Sequence, residues 1–305
     1  MHTRHLLLAI TLTALWGFNF VVMEAGLRHF PPLLYVALRF LFAAFPAVLL
    51  VGGPGVPWRK VLVAGATLGI GQYALLLTGM RAGMPAGLTS LVVQVQAIFT
   101  AILAVALLGE RLTRRRIIGM AVAFAGLALI ATDLGTGSPI GAFLLVIGAA
   151  FFWGMGNIAV RNAAPPNSFR FMVWISAVAA IPMTALSLLV EGVPHLEFSV
   201  EGSLSVLYVS LISTLGGFGI WGFLLQRYDA SVVAPSALLV PVFGMSSAAL
   251  FTGESISLTK LLAATLIISG VLYSSTRTRS LSSSAPAPSV HSKTGENERK
   301  ATEMI

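Results

Sequence analysis

The chain has 305 residues, of which 56% are hydrophobic and only 10% charged, with a mean hydropathy of +0.89 and a formal net charge of +8. A soluble domain carries about 25% charged residues, so this chain lacks the polar surface needed to cover a globule in water. Its positive charge sits in loops beside apolar runs and forms no basic, aromatic-interleaved face, which excludes nucleic acid as a partner and fits a protein oriented in a lipid bilayer. The absence of cysteine excludes disulfides, thiol nucleophiles and cysteine metal sites.

Ten apolar runs cover 6–25, 33–51, 61–80, 86–108, 117–132, 140–159, 171–190, 204–225, 232–251 and 258–275. A helical span needs about 20 residues, and in lipid such runs must be helical because no water satisfies an open backbone. In the first span, Arg4 and His5 precede the apolar run, which continues past Trp16 and Asn19 without a small-residue cleavage site, so it reads as a retained span. Trp16 and Asn19 stand at i,i+3 and share a face; Glu24 is spaced to pair with Arg28 at i,i+4, with a proton-coupling role as the alternative. In the second span Arg39 lies six residues past Leu33, about 9 Å deep. Three readings stay open for it: an anchor for a substrate carboxylate, a link between helices, or a side chain that snorkels outward.

The third span carries a ridge of small residues, Gly65, Gly69 and Gly71, followed by Gln72 and Tyr73. The fourth holds Gln94 and Gln96, which at i,i+2 point in different directions. The fifth has a second small-residue ridge of Gly119, Ala123 and Gly126, suited to close helix packing in lipid. Trp153 and Asn157 share a face of the sixth span at i,i+4. Trp174 and Trp221 lie within the seventh and eighth spans, and Gly216-Gly217 in the eighth offers close packing or a hinge. After Arg277 the chain turns to Ser, Pro, Ala and charge, the composition of a disordered tail over 277–305.

The second five runs repeat the first five. Trp16-Gly17-Phe18-Asn19 returns as Trp153-Gly154-Met155-Gly156-Asn157, Pro46 as Pro182, and Gly109-Glu110 as Gly253-Glu254, at offsets of 137, 136 and 144 residues. Five crossings per repeat force the two copies into opposite orientations. Fifteen Lys and Arg residues fall in one set of alternate loops and termini and three in the other, which places the first set, with both termini, in the cytoplasm. The expected fold is an all-α membrane protein of ten transmembrane helices in two inverted five-helix repeats, residues 1–136 and 137–276. The repeats would enclose a polar cavity at the midplane, as in many secondary transporters.

All five histidines lie in termini or loops, no HExxH, GxSxG or GxxxxGK[ST] occurs, and no carboxylate cluster lies at depth. The expectation is therefore no enzyme, no cofactor and no metal, with transport driven by a gradient. Proton coupling and passive exchange both stay open, and no oligomeric state is assigned. The groups placed to contact a small polar substrate are Trp16, Asn19, Arg39, Gln72, Tyr73, Gln94, Gln96, Trp153, Asn157 and Trp221. Amides that bond across helices for stability alone remain the competing role for each.

The chain resembles the EamA division of the drug/metabolite transporters over residues 6–275. The marks are Trp16-Gly17-Phe18-Asn19-Phe20, Leu38-Arg39-Phe40, Ala86-Gly87-Leu88 and Leu108-Gly109-Glu110-Arg111-Leu112. In the second half they are Trp153-Gly154-Met155-Gly156-Asn157, Ala234-Pro235, Val240-Pro241-Val242 and Gly253-Glu254. A narrower likeness is to bacterial cysteine and O-acetylserine exporters. It rests on Gly83-Met84-Pro85-Ala86-Gly87-Leu88, Gln94-Val95-Gln96-Ala97, Gly219-Ile220-Trp221-Gly222 and Gln226-Arg227-Tyr228. It implies efflux of small amino-acid metabolites across the inner membrane; another metabolite or a drug is the alternative cargo, and a membrane-embedded enzyme a more distant one. Two departures stand out. Ala97 replaces the proline usual in the wider family, and Glu24 sits where these exporters often carry lysine.

Overall fold

A computed structural model describes residues 2–110, 113–133, 140–193, 199–228 and 230–275. Expectations for Arg111, Leu112, Pro139 and the tail 277–305 lie outside these residues. Within them every regular element is helical. The helices are α1 (Thr3–Leu27), α2 (Pro32–Leu50), α3 (Trp58–Arg81), α4 (Ala86–Leu108), α5 (Arg114–Asp133), α6 (Ile140–Ala163), α7 (Ser168–Val190), α8 (Val200–Arg227), α9 (Ser236–Phe251) and α10 (Leu258–Ser275). Among the described residues, seven of them (α1–α4 and α6–α8) are long and apolar enough to cross a membrane; α9 and α10 are apolar but shorter. α5 opens on three arginines, Arg114–Arg116.

Local chemistry sets the boundaries. Pro31, Pro57 and Pro85 stand just before α2, α3 and α4, where a missing N–H costs nothing. Asn167 accepts from the Arg170 amide at 2.9 Å to start α7, and Ser199 accepts from the Gly202 amide at 3.2 Å to start α8. Gly109 and Gly253 close α4 and α9 in the left-handed region, φ +67° and +70°. In both places the amide of the following glutamate reaches back to an alanine carbonyl at 3.3 Å, Glu110 to Ala104 and Glu254 to Ala248. Pro46 splits α2 into Pro32–Ala44 and Ala47–Leu50, whereas its counterpart Pro182 is carried inside a continuous α7. Both α3 and α8 widen midway into a π-helical stretch, Gly65–Gly71 and Tyr208–Gly216.

Helix packing follows a regular scheme. In α5 and α10 the glycines meet backbone to backbone. A methyl on Gly119 would lie 2.5 Å from the Gly270 carbonyl oxygen, and one on Gly126 2.9 Å from that of Ala263. Rising numbers in α5 meet falling numbers in α10, so the pair is antiparallel, and the small-residue ridge of α5 is its contact face. α4 and α9 run antiparallel too: the Gly87 amide donates to Glu254 and the Gln94 amide to the Ala237 carbonyl. In α2 and α7, Glu191 accepts from the Leu33 and Leu34 amides, while Trp174 donates to the Gly52 carbonyl at the opposite end. Each of these helices therefore lies antiparallel to the one five places later.

The cross-contacts repeat as well. Gly17 of α1 abuts Phe243-Gly244 of α9, and Gly154 of α6 abuts Phe99-Thr100 of α4. The positions differ by 137 and 144 residues, the same offsets found in the sequence. Even an ion pair recurs: Glu110–Arg116 at 3.0 Å and Glu254–Lys260 at 3.1 Å. Contacts between loops keep to two faces. Glu191, Glu201 and Glu254 hold one face together, with His29 bonding Glu201 and Arg81 bonding the Leu27 carbonyl. On the other, arginine-rich face, Arg161 pairs with Glu110 and Lys60 with the Asn162 carbonyl.

Large apolar side chains point outward between the faces, among them Ile181 at 77%, Leu62 at 53% and Leu41 at 46% exposure. Such a girdle is stable only against lipid. The molecule is a multi-pass helical membrane protein.

Candidate functional site

The ten residues singled out in the sequence fall into separate groups. The first joins α1, α2 and α3. Arg39 is 2% exposed. Its Nη2 donates to the Tyr73 hydroxyl at 3.0 Å, and its guanidinium carbon lies 4.2 Å from the centre of the Tyr73 ring. Nη1 contacts the Met23 sulfur at 3.7 Å, and Asn19 Nδ2 donates to the same sulfur at 3.4 Å. No carboxylate among the described residues pairs with Arg39, its Nε has no acceptor, and Asn19 Oδ1 has no donor. Asn19, Arg39 and Tyr73 stand seven or eight residues from the carboxylate-face ends of their helices, about 10–12 Å along the axis. Gln72 is buried beside Tyr73 and makes no side-chain hydrogen bond among the described residues.

The second group joins α4 and α6. Asn157 Nδ2 donates to Gln96 Oε1 at 2.7 Å and to Thr100 Oγ1 at 3.0 Å. Gln94, two residues earlier, turns the other way and donates to the Ala237 carbonyl at the start of α9 at 3.3 Å. The two glutamines therefore serve opposite neighbours, as their spacing required.

The third group is aromatic. Trp16 packs on Trp221 and Phe218 with centroids 5.6 Å apart, and its indole N–H donates to the Ser213 carbonyl at 3.0 Å. Ser213 lies in the π-helical stretch of α8. Trp16→Phe deletes this donor and leaves a smaller ring against the tilted Trp221 and Phe218 rings, and should cost about 1 kcal/mol or more. Thermal unfolding of the purified protein reads the loss, and an unchanged midpoint would show that the bond carries nothing. Trp153 packs half-buried against the apolar core. Trp174, expected inside the bilayer, instead bonds Gly52 and packs edge-on against Trp58 at 4.9 Å, at the arginine-rich end. It begins only six residues into α7, within reach of the loop.

Two partners went unnoticed in the sequence although spacing exposes both: Met23 is four residues from Asn19, and Thr100 four from Gln96. An open groove of about 460 Å³ lies elsewhere, between α1 and α8, lined by Phe18, Val22, Leu204 and Tyr208. Its wall is apolar and includes none of the ten. Asn19, Arg39, Gln72 and Gln94 are buried and Gln96 and Asn157 partly so, and Arg39 and Asn19 keep unmet hydrogen-bonding capacity.

A multi-pass helical membrane protein with buried polar groups contributed by both halves is the architecture of a solute transporter. The pattern defining the EamA-like transporter family matches residues 3–132 and again 140–276, and the chain belongs to that family. It is 42% identical over 275 residues to a probable amino-acid metabolite efflux pump of Salmonella typhimurium, covering 87% of this chain and 92% of that one. A protein of the same description from Escherichia coli is 38% identical over the same shares. A crystal structure 20% identical in sequence superposes with a TM-score of 0.64, covering 90% of this chain and 96% of the other, and shares the fold.

Proposed function

We propose that this protein exports small amino-acid metabolites, cysteine and O-acetylserine among them, across the bacterial inner membrane by alternating access. Ten helices would cross the bilayer as two inverted repeats, residues 1–136 and 137–276, with both termini in the cytoplasm. The antiparallel pairing of α2 with α7, α4 with α9 and α5 with α10 carries this reading, because two opposed halves supply what rocking about a midplane site requires. The relatives in Salmonella and Escherichia coli support the cargo class. Trp16, Asn19, Arg39, Gln72, Tyr73, Gln94, Gln96, Trp153, Asn157 and Trp221 would line the path as the halves part, and no catalytic step is involved.

Labelled cysteine and O-acetylserine loaded into proteoliposomes should escape faster than from empty vesicles, and an imposed pH gradient should change the rate if protons are coupled. Flux equal to empty vesicles for both compounds would overturn the assignment. Orientation is tested separately. The chain has no cysteine of its own, so Gly53→Cys and Val193→Cys can be labelled without background. Both positions are exposed. An impermeant maleimide added to intact cells should label position 193 and not 53; equal labelling of both would sink the proposed topology.

A further inference from the structure

A buried guanidinium without a carboxylate is expensive in a membrane. The Tyr73 ring and hydroxyl and the Met23 sulfur meet only part of its demand. What remains is specific. Arg39 Nε is a buried donor with nothing to bond, and Asn19 Oδ1 is a buried acceptor with nothing to bond. The two side chains are neighbours, because Arg39 Nη1 and Asn19 Nδ2 both touch the Met23 sulfur, at 3.7 and 3.4 Å. Those contacts place the two nitrogens within about 7 Å of each other. The charged atoms of an α-amino acid are about 3 Å apart, and with one hydrogen bond of about 2.9 Å at each end its reach is about 9 Å when extended, so it can bend to engage both groups at once.

We propose that Arg39 and Asn19 form a clamp for the dipolar end of an α-amino acid. The carboxylate docks on the guanidinium, whose planar fork matches it, and the ammonium donates to Asn19 Oδ1. The side chain of the cargo is left unread at this point, so the clamp selects amino acids as a class. Arg39 at 2% and Asn19 at 5% exposure are shut away from both faces; in the alternating-access reading, on which this proposal rests, the site fills when the helices part.

The test uses wild-type protein in proteoliposomes and three competitors of labelled cysteine: S-methylcysteine, its methyl ester, and its N-acetyl derivative. Each modified compound loses one charged contact, and each should compete about 30-fold more weakly than S-methylcysteine. Equal competition by all three, with cysteine flux intact, overturns the clamp and leaves export standing. Arg39→Gln should abolish discrimination against the ester alone, and Asn19→Leu discrimination against the N-acetyl compound alone. Uniform loss for every ligand in both variants means a merely structural role and also overturns it. Thermal stabilisation of the detergent-solubilised wild type by the same three compounds reads binding without flux. Selective stabilisation in a protein that exports nothing supports the clamp and sinks the export reading; no stabilisation and no flux sinks both.

Discussion

Alanine at Gly17 is expected to destabilise the protein more than alanine at Gly154, although the two glycines are copies of one position. A methyl on Gly17 would stand 2.5 Å from Phe243 Cβ, 2.7 Å from the Gly244 amide nitrogen and 2.8 Å from the Val240 carbonyl oxygen. Two of those three are backbone atoms of α9, so a rotamer change gives no relief and the helices must separate. A methyl on Gly154 would stand 2.8 Å from Phe99 Cβ and 3.0 Å from the Thr100 amide nitrogen, a milder approach. Overpacking of this kind costs about 1–3 kcal/mol. Gly17→Ala belongs at the upper end of that range and Gly154→Ala at the lower. Unfolding of detergent-solubilised variants measures both, and the order matters more than the sizes. If Gly154→Ala is the more damaging, the close packing of α1 on α9 is not as described.

Much of this packing was readable from spacing. The offsets of 137 and 144 residues between Trp16 and Trp153 and between Glu110 and Glu254 reappear in space, because a repeated span must present the same face to the same neighbour. The ridge of Gly119, Ala123 and Gly126 forecast a close helix contact, since small residues in a lipid-embedded run have few other uses. The fork between Gln94 and Gln96 was legible from their i,i+2 spacing, though not the helix each would meet. The π-helical stretches were not legible. They depend on one extra residue per turn, which leaves no mark on an apolar pattern beyond the glycines at 65–71 and 216–217. The Ser213 carbonyl that Trp16 meets lies in one of these stretches, so the role of Trp16 was half visible. Nor could spacing show that Arg39, Asn157 and Trp16 make their hydrogen bonds in three separate groups, because contacts between distant helices set those partners. Trp174 misled because counting residues into a span ignores a loop that folds back over its end.

Symmetry between the halves also sets up its own exception, at Glu254. Glu254 and Glu110 occupy the same place in the two repeats and pair with the same partner position, Lys260 and Arg116. Their surroundings differ. Glu254 and Lys260 are 13% and 17% exposed, and Glu254 also accepts from the Gly87 amide at 2.8 Å, holding the start of α4 to the end of α9. Glu110 is more open; bonds from Arg161 first and Arg116 second hold its carboxyl below the usual carboxylate range. Glu254→Gln weakens a charge-assisted bond between elements of different halves and strips Lys260 of its counter-charge. Such bonds contribute about 1.5–3 kcal/mol, so opening between α4 and α9 should become about tenfold or more favourable. Ser90, buried and packed against Gly244 at that seam, reports on it as a cysteine. In the Glu254→Gln background, Ser90→Cys should react with an impermeant maleimide from the carboxylate-rich face several-fold faster than in the parent. Glu110→Gln should leave that rate unchanged, because it acts at the opposite end of α4. Equal acceleration by both changes would mean general loosening and would remove Glu254 as the latch of its face.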